Sequence, residues 1–142
     1  MLDRGDTGAG PDWDALLAAA DAGRGAAIAA GDTDALRTWV DPAGPAWPAD
    51  SALAGRVSAL HARVEGGSLV VLEVRPQAVA ETRAVLLVRD RRSAYSVVTP
   101  DGTTTVAARA PRWWRVTMVL APGTRGGTWR LSDVAPVAAP AP

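Results

Sequence analysis

The sequence predicts an α+β domain in which three N-terminal helices pack on a curved antiparallel sheet of five or six strands. Two observations carry this. Apolar residues recur at helical spacing through residue 64 and at strand spacing from Leu69 onward. The strand half contains a hairpin turn, Thr99-Pro100-Asp101-Gly102-Thr103, in which proline presets the first turn dihedral and glycine accepts positive φ. The sheet centres on Pro111–Val134, which holds three of the six tryptophans and reads as two paired strands joined by a glycine-rich loop. Along its first strand Trp114, Val116, Met118 and Leu120 form one apolar row, with Trp113, Arg115 and Thr117 on the opposite face.

In chain order, Asp12 caps a first helix on which Trp13, Leu16, Leu17, Ala20 and Ile28 share one stripe, ended by Gly31. Gly23 and Gly25 each weaken its middle by roughly 1 kcal/mol relative to alanine, so tertiary packing must hold it or a neighbour must approach closely there. Asp32 caps a short second helix carrying Leu36, Trp39 and Val40, which stops at Asp41-Pro42. Three prolines make 41–48 an irregular connector, plugged onto the domain by Trp47. Asp50 is expected to cap a third helix with the stripe Leu53, Val57, Leu60 and Val64, ended by Gly66-Gly67. Strands follow at 69–75, 84–88, 94–98 and 103–109, with Pro111 marking a bulge or corner before the Trp-rich strand.

The length of 142 residues fits one domain, 11–136, between a flexible segment at 1–10 and a disordered Ala/Pro tail at 137–142. The absence of cysteine excludes disulfides, thiolate metal sites and a cysteine nucleophile. With zero net charge there is no global field toward nucleic acid, and no run approaches the roughly 18 apolar residues of a membrane span. Neither nucleic-acid binding nor membrane insertion of this segment is expected. The charge is unevenly spread: residues 1–81 hold six arginines against twelve carboxylates, and residues 82–142 nine arginines against three.

The order of an Ala-rich helix ending in Gly31-Asp32, a short helix, a proline-broken connector, a third helix and a bent sheet closing on Trp129-Arg130 resembles the cone-shaped fold of the nuclear transport factor 2-like superfamily. More narrowly it is similar to small domains of actinobacterial membrane-anchored or secreted proteins, which implies an extracytoplasmic or membrane-tethered location. The superfamily holds isomerases, dehydratases, cyclases and non-catalytic binding modules, so the resemblance implies a fold and leaves activity open.

Enzymes of that superfamily place a His with Asp or Glu inside the cone, which makes His61, the only histidine, the catalytic candidate for an isomerase or dehydratase, with Glu73 or Asp50 as partner. Carboxylates are scarce after Glu81, and the strand faces are largely apolar, which favours a filled cone. One histidine without clustered carboxylates or a glycine-rich phosphate loop leaves no metal or cofactor to expect. The favoured reading is a non-catalytic module whose outer sheet face, around Trp113, Arg115 and Arg130, meets a protein partner or a second copy of the chain, with a small apolar or acidic ligand as a further possibility.

Overall fold

The computed structural model describes residues 10–123 and 127–141; most of the segment expected to be flexible, and the middle of the glycine-rich loop, lie outside the described residues. The side chain of Asp12 accepts a hydrogen bond from the Ala15 N–H and opens α1 (Trp13–Ala29), which buries Trp13, Leu17, Ala20, Ala27 and Ile28. Gly31, at φ 64°, ends it: the Gly31 N–H bonds the Ile28 carbonyl and the Asp32 N–H bonds that of Ala27. Asp32 then caps α2 (Thr33–Leu36) by accepting from the Ala35 N–H.

α3 (Trp47–Ala59) corrects the sequence reading. It starts three residues before Asp50, with Pro48 in the first turn where a missing N–H is harmless. Asp50 therefore lies inside the helix and caps nothing. The expected stripe does not form, since Leu53 and Leu60 are 37% and 57% exposed, and the buried side is Asp50, Ala54 and Val57. Val64 belongs to a strand.

That strand is β1 (Arg63–Gly66); β2 (Leu69–Val79), β3 (Arg83–Arg92), β4 (Tyr95–Thr99), β5 (Gly102–Val106), β6 (Arg109–Leu120) and β7 (Trp129–Pro136) follow. The described residues thus form seven strands, one more than the upper expectation, because β1 comes from chain read as helix. They divide into a four-stranded sheet in the order β2-β3-β6-β7 and a three-stranded sheet in the order β1-β4-β5, all pairs antiparallel.

The two sheets are one meander, bent. Gly66 faces Tyr95 in the small sheet and, three residues on, Leu69 faces Arg92 in the large one. Likewise Tyr95 faces Val106, and Arg92 faces Arg109. Register is unbroken across the bend, so β1–β2, β4–β3 and β5–β6 are three long strands creased at one level. The crease is bonded by Gly67 N–H to the Ala94 carbonyl and Ser93 N–H to the Ser68 carbonyl. It needs glycine, because Gly66 and Gly67 sit at φ 85° and 87° and a Cβ on Gly66 would lie 2.8 Å from the Ala94 carbonyl. Gly66-Gly67 thus turns the sheet and does not end a helix. Beside Pro111 the β3–β6 register shifts between Asp90 and Arg92, the irregularity expected there.

One face of the large sheet, with Ala84, Leu86 and Val88 of β3, Val116 and Met118 of β6 and Leu131 of β7, packs with the helices into a core that encloses Leu36 and Val40 completely. Trp13 meets Trp129 edge to face, centroids 5.1 Å apart. The connector is stitched to the free edge of β7: Asp41 N–H bonds the Leu131 carbonyl, Leu131 N–H that of Trp39, and Ala46 N–H that of Ser132. No helix among the described residues is long and apolar enough to cross a membrane. The Ala/Pro tail, expected to be disordered, stays with the sheet, and Val137 N–H bonds the Trp113 carbonyl at 3.1 Å.

The two α1 glycines separate cleanly. A Cβ on Gly23 would run into the Trp39 indole, whereas one on Gly25 would meet nothing within 4 Å. In urea unfolding, Gly23→Ala is expected to destabilise by about 1–3 kcal/mol through overpacking. Gly25→Ala is expected to stabilise by about 0.5–1 kcal/mol. Equal effects would mean that Trp39 does not pack on Gly23.

Candidate interaction surface

Strand pleating sends alternate side chains to opposite faces, so the face away from the helices follows from the buried set. It carries Glu73 and Arg75 of β2, Leu87 and Arg89 of β3, and Trp113 and Arg115 of β6. Trp113 is half-buried, directly opposite Arg89, and the Arg75 guanidinium lies 5.1 Å from its ring centroid. Arg75 is held there by an Nε–H hydrogen bond to Glu73. Arg89, Arg91 and Arg115 make no ion pair with any described residue. A tryptophan with one guanidinium over its ring, further arginines on the same face and a single local carboxylate form a surface that attracts hydrogen-bond acceptors.

Of the three expected surface residues, Trp113 and Arg115 stand two apart on one strand and one face. Arg130 does not join them. Its guanidinium folds onto the connector, 3.4 Å from the Arg37 carbonyl and 3.6 Å from Asp41, and only 15% of its side chain is exposed. It anchors the 37–41 segment to β7.

On the opposite face is a polar group that sequence reasoning missed. Asp90 is buried and accepts at one oxygen from both Arg109 Nη2 at 2.9 Å and Trp114 Nε1 at 3.0 Å. The guanidinium carbons of Arg109 and Arg112 lie 5.2 and 4.9 Å from the Trp114 ring centroid. The available signal was position: Asp90 continues the inward row Ala84, Leu86, Val88, and a carboxylate there needs donors.

The three catalytic candidates lie apart. Asp50 is buried between α1 and α3, with both oxygens bonded to Arg24, at 2.7 Å from Nε and 2.6 Å from Nη2. Burial works to lower the Arg24 pKa, but the Asp50 hydrogen bond and charge, with the charge of Asp21, outweigh it and raise the pKa above its ordinary value. The stability from that shift is fully present below the ordinary arginine pKa and is lost only as pH rises through the higher folded value. Glu73 faces outward, paired with Arg75. His61 is exposed and off the helix, at φ 52°. Its N–H bonds the Ser58 carbonyl and the Ala62 N–H bonds that of Val57, the pattern in which a left-handed residue, usually glycine, closes a helix. The helix-facing side of the sheet is filled by Leu36, Leu86, Met118 and Val40.

No protein-family model matches the sequence, and no curated protein matches it. Among solved structures, the chain is similar to the intermembrane-space region of the chloroplast protein ARC6, with a TM-score of 0.62 at 12% identity over 98% of this chain and 100% of that one. That likeness shows a shared fold. Two further structures are similar at lower scores: a protein with a cystatin-like fold from Caulobacter vibrioides (TM-score 0.40, 17% identity, 87% of this chain and 89% of that one), and a protein from Xanthomonas campestris described as a calcium/calmodulin-dependent protein kinase II association domain (0.42, 16%, 98% and 96%).

Two substitutions test these assignments by thermal and urea unfolding. Asp50→Ala strands Arg24 in a largely buried site and is expected to destabilise by about 3 kcal/mol or more. His61→Gly relieves a left-handed non-glycine residue and is expected to stabilise by about 0.5–1 kcal/mol; a loss of stability would mean that the imidazole makes contacts of its own.

Proposed function

We propose that this chain is a non-catalytic interaction module on the cone-shaped fold of the nuclear transport factor 2-like superfamily, part of a tethered or extracytoplasmic bacterial protein. It meets a protein partner, or a second copy of itself, through the outer sheet face around Trp113 and Arg115. The observation that supports this most is that Arg89 and Arg115, without an ion pair among the described residues, stand beside a half-buried tryptophan on the face of the sheet opposite the helices. Tryptophan and arginine are the side chains most often responsible for binding energy at interfaces.

Light scattering of the full chain across concentration, beside Trp113→Ala and Arg115→Glu, tests the reading. Association that both substitutions weaken at least ~30-fold makes the face a contact between copies, since a central tryptophan contributes about 2 kcal/mol or more. The association is also expected to weaken as salt screens the arginines. A monomer throughout rules out a contact between copies and leaves the face free for a different chain, and association unchanged in both variants would move the function elsewhere.

A further inference from the structure

We infer that the outer sheet face is a seat for an extended, proline- and alanine-rich peptide segment of a partner protein, and that the chain's own tail occupies this seat as a competitor. The inference rests on reading that face as the interaction surface, and it names the partner's chemistry.

β7 ends at Pro136, opposite Trp114, yet the chain does not leave the sheet. Val137 N–H donates to the Trp113 carbonyl at 3.1 Å, and Arg75 Nη1 donates to the Ala141 carbonyl at 3.3 Å. Arg75 is the same side chain that lies over the Trp113 ring. The tail therefore leaves the β6–β7 ladder at the Trp113 main chain and reaches, at Ala141, the guanidinium that lies over the Trp113 ring. Between them, Val137 and Pro140 are half-buried while Ala138, Ala139 and Ala141 are exposed. A chain of alternating Ala and Pro favours polyproline II, which turns once every three residues. Its rise of ~3.1 Å per residue carries four steps about 12 Å, and the Arg75 side chain, reaching over Trp113, covers the rest of the roughly 14 Å from the β7 line to β2.

The chemistry of the seat suits such a strand. Polyproline II leaves its carbonyls without internal partners, so it binds where donors and an aromatic surface lie together. Trp113 supplies the aromatic surface and Arg75 one donor. Arg89 and Arg115 flank the stack with further N–H groups that no described carboxylate engages. A segment of this kind is already stiff, so little chain entropy opposes its capture.

A tethered tail competes at an effective concentration on the order of mM, so a peptide binding the open face at about 0.1 mM would bind the unmodified chain roughly tenfold more weakly. The test is calorimetric titration of the 142-residue chain with a synthetic peptide repeating Val-Ala-Ala-Pro-Ala-Pro, and with a Gly-Ser peptide of equal length as control. Three backgrounds are compared: the unmodified chain, a tail variant with residues 137–141 replaced by Gly and Ser, and that variant carrying Trp113→Ala or Arg75→Gln. The tail variant is expected to bind the Ala/Pro peptide roughly tenfold more tightly than the unmodified chain, with at least ~5-fold loss on either further substitution. Equal binding by tail variant and unmodified chain, insensitivity to both substitutions, or no preference over the Gly-Ser peptide would each overturn the inference. Circular dichroism checks folding, and the half-exposed Arg75→Gln decides if Trp113→Ala does not fold. If the peptide fails while Trp113→Ala still disperses association in light scattering, the face stands as an interface and only the peptide class is rejected.

Discussion

Three long strands must crease at the same level for this molecule to exist. An antiparallel meander can bend sharply only if each strand yields where its neighbours do, or the ladder breaks. Here β1–β2 yields at Gly66-Gly67, β4–β3 at Ser93-Ala94 and β5–β6 at Ala107-Ala108, with register kept on both sides. Arg92 fastens the crease to the helices, donating to the Gly67 carbonyl and to Asp21 of α1, each at 2.7 Å. The concave face then closes over Leu36 and Val40, and the opposite face is left to Trp113 and its arginines.

Local chemistry was legible in the sequence at most positions where one residue does a local job, His61 at the end of α3 being the exception. Asp12 and Asp32 cap, Gly31 closes a helix, Pro100-Asp101-Gly102 turns, and the Trp114–Val116–Met118 row faces the core. What escaped depends on partners distant in sequence. The buried side of α3 is chosen by Arg24, twenty-six residues before Asp50, and not by its own leucines. Gly66-Gly67 looks like a helix terminator in isolation; only its opposition to Ala94 and Tyr95 makes it a sheet corner. Of the expected surface set, Trp113 and Arg115 share a face, while Arg130 is pulled to the connector by Asp41, a pairing that sequence spacing does not reveal.

The uneven charge distribution resolves into local pairings. Arg92–Asp21 and Arg130–Asp41 link the basic half to the acidic half, whereas Arg24–Asp50, Arg75–Glu73 and Arg109–Asp90 pair within their own halves. Cations are therefore left over on β3 and β6, whose only described acidic residue, Asp90, is turned inward. Attraction between the halves does not explain the fold, and the surplus positive charge faces solvent.

The two borders of the large sheet are treated differently. Along β7 the connector bonds the Leu131 and Ser132 carbonyls and supplies an acceptor for Leu131, so that border is blocked in its first half. Along β2 no described strand pairs on the far side, and Val70, Leu72 and Val79 are 40–52% exposed. Stacking of copies into a fibril needs two receptive borders per molecule. In the large sheet, a second molecule joining at β2 presents beyond the junction a β7 already occupied at Leu131–Ser132, which opposes growth past a pair. The connector that finishes the core also acts as a chain terminator against runaway polymerisation of this sheet.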